Sequence, residues 1–226
     1  MDVYGDHLAA CPRTGLLARR AGPVERAWAR VGREAGGRVV HKQLLRDTNV
    51  APLRIGDRRQ LDAVIYGITR NGVPVCCDAT VVSPIQRDGR PRGRAADVNG
   101  WALRVAVRRK HRRYPELVGS SRGTLAVLGA EVGGRWNTDA IRLVQRCARL
   151  RARSAPQLLR ASAIAAWSTR WWGILSVAVQ DSLAACIGRE GHLAFGGHEE
   201  DPELPLAEVL LLAAQPVAQS RLPFRG

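Results

Sequence analysis

Lysine is almost missing from this chain. Of 35 Lys and Arg residues, only Lys42 and Lys110 are lysine. The basic surface is therefore an arginine surface, and arginine forks phosphate oxygens bidentately. Acids are also scarce, 20 Asp and Glu, which leaves a formal net charge of +15 and a pI near 11.2. That balance suits nucleic acid, although a high-GC genome inflates Arg and Ala without any function. No C-x-x-C is present, and the five cysteines (Cys11, Cys76, Cys77, Cys147, Cys186) are odd in number. This argues against a disulfide framework and for reduced thiols in a nuclear or cytoplasmic protein. No apolar h-region opens the chain, so no signal peptide is expected. The longest apolar run, around Val209–Ala214, falls far short of the ~18 residues of a membrane span, so no membrane partner is expected. No internal repeat is visible.

What is present begins with 46% hydrophobic residues, enough for a true core. Residues 12–34 show helical spacing, with Leu16, Leu17, Val24, Trp28 and Val31 on the apolar side. Gly22-Pro23 predicts a break into two helices, and Gly36-Gly37 a stop. A first strand is predicted at 39–45, then a polar loop, then a hairpin with strands at 61–69 and 73–82 around Asn71-Gly72. Residues 86–94 form a basic Gly/Pro loop. A helix at 95–114 ends at Pro115, and a short strand follows at 124–129. Asn137 or Thr138 caps a helix to about 153, with Ile141, Val144 and Ala148 apolar and Arg142, Arg146, Arg149 and Arg153 on the other side. A last helix spans 157–187, where Ile164, Trp167, Trp171, Leu175, Ala178 and Ser182 read as core. Residues 188–226 are expected to be a poorly ordered tail. A crossover through 95–114 can set the last strand parallel. The result is an α/β fold, a mixed sheet flanked by helices, with C-terminal helices.

Two aspartates interrupt the hairpin strands. Asp is depleted from strands and expensive to bury unpaired. The plain alternative is two edge aspartates facing water. If the loop sets an even register, Asp62, Asp78 and Thr80 share one face, close enough for the two carboxylates to hold one divalent ion. In the helix that follows, Leu103, Val107, Lys110 and Tyr114 form one stripe, with Arg104, Arg108, Arg109, Arg112 and Arg113 off it. A lysine on the inward stripe is costly unless paired or snorkelling. Two acids, one lysine and a basic surround suit metal-dependent phosphodiester cleavage. Glu25 and Glu34 are further acids on the first helix, expected to face solvent, and Glu131 lies just past the last strand. His7 and Cys11 have an H-x3-C spacing, half of a tetrahedral zinc site, with no cysteine before them.

The α-β-β-β-α-β order with acids on strands two and three resembles the PD-(D/E)XK nucleases. More narrowly, residues 5–187 resemble the restriction-like endonuclease region at the C-terminus of non-LTR retrotransposon reverse transcriptases. The likeness rests on Gly5-Asp6-His7-Leu8-Ala9-Ala10-Cys11, on Arg59-Gln60-Leu61-Asp62, on Asp78 to Pro84, on Lys110-His111-Arg112-Arg113-Tyr114, and on Gly129 to Trp136. It implies a PD-(D/E)XK-like αβββαβ core at 12–135, a knuckle remnant at 1–11 and a helical extension at 136–187. It implies Mg²⁺ or Mn²⁺ held by Asp62, Asp78 and the Ala79 carbonyl. It also implies that Lys110 stands in for the lysine usually found two residues after the second acid, where this chain has Thr80, and that Tyr114 accompanies it. His7 and Cys11 would be the last two zinc ligands of the knuckle. Three departures stand out. The upstream knuckle cysteines are missing, Leu61 replaces a proline, and no polymerase segment precedes the match, so a truncated element, a gene-prediction fragment or a remnant is expected.

The expected function is DNA endonuclease activity, a single-strand nick made by a retrotransposon-derived domain. The nine arginines at 104, 108, 109, 112, 113, 142, 146, 149 and 153 would contact DNA, or alternatively RNA. The rival expectation is a catalytically inactive nucleic-acid-binding remnant of the same domain.

Overall fold

The computed structural model describes residues 16–187 apart from 51, 52, 54, 55 and 87, with side chains described from 21 to 184. The knuckle residues His7 and Cys11 and the tail at 188–226 lie outside the described residues. Four strands form one mixed sheet in the order β1 (Arg38–Leu44), β2 (Gln60–Tyr66), β3 (Val75–Val82), β4 (Thr124–Glu131). β1 pairs antiparallel with β2, and β2 with β3. β3 and β4 run parallel, linked by a crossover through α2 (Trp101–Arg113). α1 (Leu16–Glu34) precedes the sheet, and α3 (Thr138–Arg151) and α4 (Arg160–Ile187) follow it.

α1 is a single helix, not the two predicted, and Pro23 lies inside it. A mid-helix proline costs ~3 kcal/mol. Packing supplies the compensation. Val24, Trp28 and Val31 bury completely against the sheet and α4, and each large apolar side chain buried contributes roughly 1.5–3 kcal/mol. Tertiary contacts thus override the local signal. α1 stops at Gly36, whose φ of +87° needs a residue without a Cβ.

The two faces of the sheet carry separate cores. Ala63, Ile65, Val75, Cys77, Ala79 and Leu128 pack with α1, α3 and α4. Val64 and Cys76 point the other way, toward Leu45, Tyr114 and Leu117. Residues 136–187, expected as an extension, therefore share the larger core. In α3, Val144 and Ala148 are buried as expected, but Ile141 is 39% exposed. Leu143 and Cys147 are buried in its place. The α4 stripe is core as expected, with the Ser182 hydroxyl satisfied by the Ala178 carbonyl at 2.7 Å. Cys76 and Cys147 are free thiols whose burial pushes their pKa up to about 12.

Two predicted elements shift. α2 starts at Trp101, not at 95, because Gly100 turns left-handed (φ +70°) just before it. The basic segment at 86–94 carries an isolated Ile85–Pro91 bridge, with Arg92 N–H on the Pro84 carbonyl at 2.7 Å. Asn137 caps α3 as expected, accepting from Ala140 N–H at 3.1 Å. Among the described residues no helix is long and apolar enough to cross a membrane.

Candidate active site

The β2–β3 connection runs from Gly67 to Pro74, longer than the 70–72 gap between the two strands predicted around Asn71-Gly72. Gly72 is left-handed (φ +72°) and its N–H reaches the Thr69 carbonyl at 3.4 Å, so the turn is the tip of a longer excursion. The register is nevertheless even: Ala63 pairs with Cys77 and Val64 with Cys76. The ladder ends there, and Asp62 and Asp78 are the next residue on each strand. Alternation in β2 breaks here, since Leu61 shares a core with Val64; along β3 it holds, so Asp78 and Thr80 lie on the face of Cys76. This is the face that α2 covers.

Both carboxylates are largely withdrawn from water. The Asp78 side chain is 3% exposed and that of Asp62 19%. Asp62 Oδ2 accepts from the Ala79 N–H at 2.8 Å. In an extended strand a residue's N–H and C=O point to the same side, so the Ala79 carbonyl also faces the β2 side, beside Asp62. Burial raises the pKa of Asp62, and the nearby Glu25 charge adds to the rise. Burial raises Asp78 as well, and Lys110 opposes this.

The chain's two lysines both come to this pair. Lys110, from the last turn of α2, donates to Asp78 Oδ1 with a side chain only 14% exposed. Lys42, from edge strand β1, pairs with Glu25 Oε2 and lies 3.4 Å from Asp62 Oδ1. Lys42 holds a φ of +50°, uncommon for a residue with a Cβ. Tyr114 closes the site. Its hydroxyl donates to the Gln60 carbonyl at 2.8 Å, and burial with the Asp78 charge pushes its pKa up. Arg59 braces this corner, binding Asp57 and Glu116 at 2.6 Å each and the Arg113 carbonyl at 2.6 Å. It thereby ties the approach to β2 to the end of α2.

No motif in the sequence marks Lys42 as a site residue, and Glu25 or Glu34 is there only a candidate further acid from the first helix. Glu25 was expected in solvent and is buried. Glu34, also expected in solvent, is bound by Arg170 at 2.9 Å and by Trp171 Nε1 at 2.7 Å. The scarcity of lysine was the usable signal. Where arginine supplies nearly every cation, a lysine marks a position suited to a compact point charge.

The donor set can be tested for a divalent ion. Three carboxylates (Glu25, Asp62, Asp78) face two ammoniums (Lys42, Lys110), which leaves one negative charge over among these five groups. Hard oxygen donors from two neighbouring carboxylates and one carbonyl suit Mg²⁺, which takes one or two carboxylates and completes its shell with water and phosphate. No group of three or more His, Cys, Asp or Glu that could hold a metal occurs among the described residues. The remaining donors would therefore have to be the Ala79 carbonyl, water or substrate.

The arginines fall in two places. Arg104, Arg108, Arg109, Arg112 and Arg113 are exposed on α2, outside the inward stripe of Leu103, Lys110 and Tyr114. Arg94, Arg104 and Arg108 gather around the Trp101 ring at 5.5–5.8 Å from its centre. Arg142, Arg146, Arg149 and Arg153 line a cleft at the end of the sheet where β3 and β4 begin. Glu131 is buried and pairs with Arg135 at 3.3 Å. No protein-family model and no curated protein matches the chain.

Proposed function

We propose that the chain is a metal-dependent DNA endonuclease domain of the PD-(D/E)XK type, derived from a retrotransposon reverse transcriptase polyprotein. The observation that carries this reading is the Asp62 carboxylate bonded to the Ala79 N–H, next to Asp78, with Lys110 and Tyr114 brought to Asp78 from the following helix. Asp62, Asp78 and the Ala79 carbonyl would hold Mg²⁺ or Mn²⁺. Such an ion supplies a nucleophilic water at neutral pH and offsets charge on the phosphate under attack.

The protein's own groups do the rest. Asp62 and Asp78 are kept in place by the Ala79 N–H and by Lys110. With an ion held by the acids, the Lys110 ammonium would be the group placed to meet a non-bridging phosphate oxygen. Stabilisation there grows as negative charge builds in the transition state. Tyr114 fixes the start of β2 through the Gln60 carbonyl and stands beside the Asp78 carboxylate. The α2 arginines contact flanking phosphates and set the register of the duplex. The cut leaves a nicked strand, and a nuclear or cytoplasmic setting fits its reduced thiols.

A supercoiled-plasmid assay tests this. Nicking with Mg²⁺ or Mn²⁺ is expected from the wild type, and Asp78→Ala should abolish it. Nicking that survives Asp78→Ala overturns the assignment. One observation favours the rival reading of an inactive nucleic-acid binder. Lys42 and Lys110 already neutralise most of the acid charge, so the site is electrostatically close to self-contained. Under that reading neither ion raises the melting temperature, whereas an ion bound at 100 times its Kd stabilises by ~2.7 kcal/mol.

A further inference from the structure

A cleft of about 840 Å³ separates the β2–β3 connection from α3. Arg70 stands on one wall, Arg142, Arg146 and Arg149 on the other, and Arg153 lies past the helix end. All five are exposed, and no carboxylate lines the cleft. None of the five makes an ion pair with a described residue. Neighbouring arginines behave differently. Arg151 lies over the Trp167 ring at 5.2 Å, and Arg30 and Arg170 are bound to Glu34. Composition alone therefore does not explain the cluster, since like charges converge here without a compensating carboxylate among the described residues. The α3 arginines Arg142, Arg146 and Arg149 recur at i, i+4 and i+7 and span about 10 Å along one helix face.

The shape narrows the ligand. Duplex grooves are read by elements that protrude into them, whereas these arginines line a recess. Single strands bound without sequence preference use a basic groove that follows the backbone, often with aromatics on which bases stack. Here the apolar lining is Ile68 and Leu150, with no aromatic ring. Recognition is left to phosphate. The cleft also lies apart from the acid pair. Asp78 is three residues beyond Val75 along β3, about 10 Å, and its side chain faces α2, while α3 packs on the opposite face of the sheet.

We propose that this cleft is a second nucleic-acid site, which holds the phosphate backbone of one single strand away from the acid pair. The proposal does not rest on the nuclease reading. Anisotropy titrations of labelled single-stranded DNA, single-stranded RNA and duplex DNA over a salt series test it. The triple variant Arg142→Ala, Arg146→Ala, Arg149→Ala should bind single strands at least tenfold more weakly. Its log affinity against log salt should flatten by about 2, at ~0.7 per lost contact on single strands. Duplex affinity should stay near wild type. Arg70→Ala, on the opposite wall and outside any helix, should weaken single-strand binding in the same direction, which guards against a folding artefact. A preference for RNA or DNA identifies the natural strand, and equal binding assigns the backbone alone. Unchanged single-strand affinity and slope in the triple variant overturn the proposal, as does a fall confined to the duplex. Asp78→Ala should keep single-strand binding whether or not it abolishes nicking, so the two sites fail independently.

Discussion

Asp62 carries a charge that the fold works against. Burial and the Glu25 carboxylate raise its pKa above the ordinary aspartate value of 3.8. In the window from 3.8 up to the raised value, the folded chain binds more protons than the unfolded one. Stability therefore falls as pH rises through that window and stays lower above it. Asp62→Asn removes the charge and keeps an oxygen that can accept from the Ala79 N–H. Its melting temperature at pH 8 should exceed wild type by roughly 2–4 °C, in line with ~1 kcal/mol for a chain of this size. The gain should vanish below about pH 4, where both forms are uncharged at this position. Differential scanning calorimetry across pH checks this, and an Asp62→Asn variant less stable than wild type at pH 8 contradicts it. Lys110→Ala should do the reverse. It leaves Asp78 buried without its cation, a loss on the order of 3 kcal/mol. That loss should shrink as acid protonates Asp78, and Asp78→Asn in the same chain should recover much of it. A double-mutant cycle by urea unfolding reads the coupling.

At the scale of elements, the strands themselves and the inward stripe of α2 were legible because each rests on a local period. Side-chain alternation and 3.6-residue spacing survive folding intact. What was not legible depended on contacts distant in sequence. Pro23 signalled a break that the packing of Trp28 and Val31 overrode. Lys42 gave no local hint that a left-handed kink in edge strand β1 would aim it at Glu25 and Asp62. Gly37 shows the same dependence in a testable form. A Cβ there would meet Ile65 Cγ2 and Ile68 Cγ2 at 2.8 Å and the Gly32 carbonyl at 3.0 Å. Helix end and sheet approach too closely for any side chain, so Gly37→Ala should cost about 1–3 kcal/mol through overpacking. Gly133→Ala, where an added Cβ meets nothing within 4 Å, should stay within about 0.5 kcal/mol of wild type. Equal melting temperatures for the two variants would show that α1 and β2 can separate without cost.

Across the whole molecule, charge is sorted by chemistry. The two lysines are folded into the acid site, while the α2 and cleft arginines stay outside it. Recognition and cleavage should therefore separate cleanly in mutants. With a net charge of +15, duplex binding should be strongly salt-dependent, because each phosphate neutralised releases condensed counterions. Arg109 and Arg112 are exposed on α2 and carry none of the internal bonds that hold Arg59 or Arg170. Arg109→Ala with Arg112→Ala should lower the log–log salt slope for duplex DNA by about 1.8, at ~0.9 per phosphate contact. Unfolding should be unchanged within about 0.5 kcal/mol. Nicking by that variant should suffer more at physiological salt than at low salt, since the lost contacts position the duplex and take no part in the chemistry. Asp78→Ala should show the converse, a wild-type salt slope with no nicking. If instead the Asp78→Ala slope falls as far as that of the arginine pair, the acid site and the α2 surface are one structural unit, and the separation of binding from cutting fails.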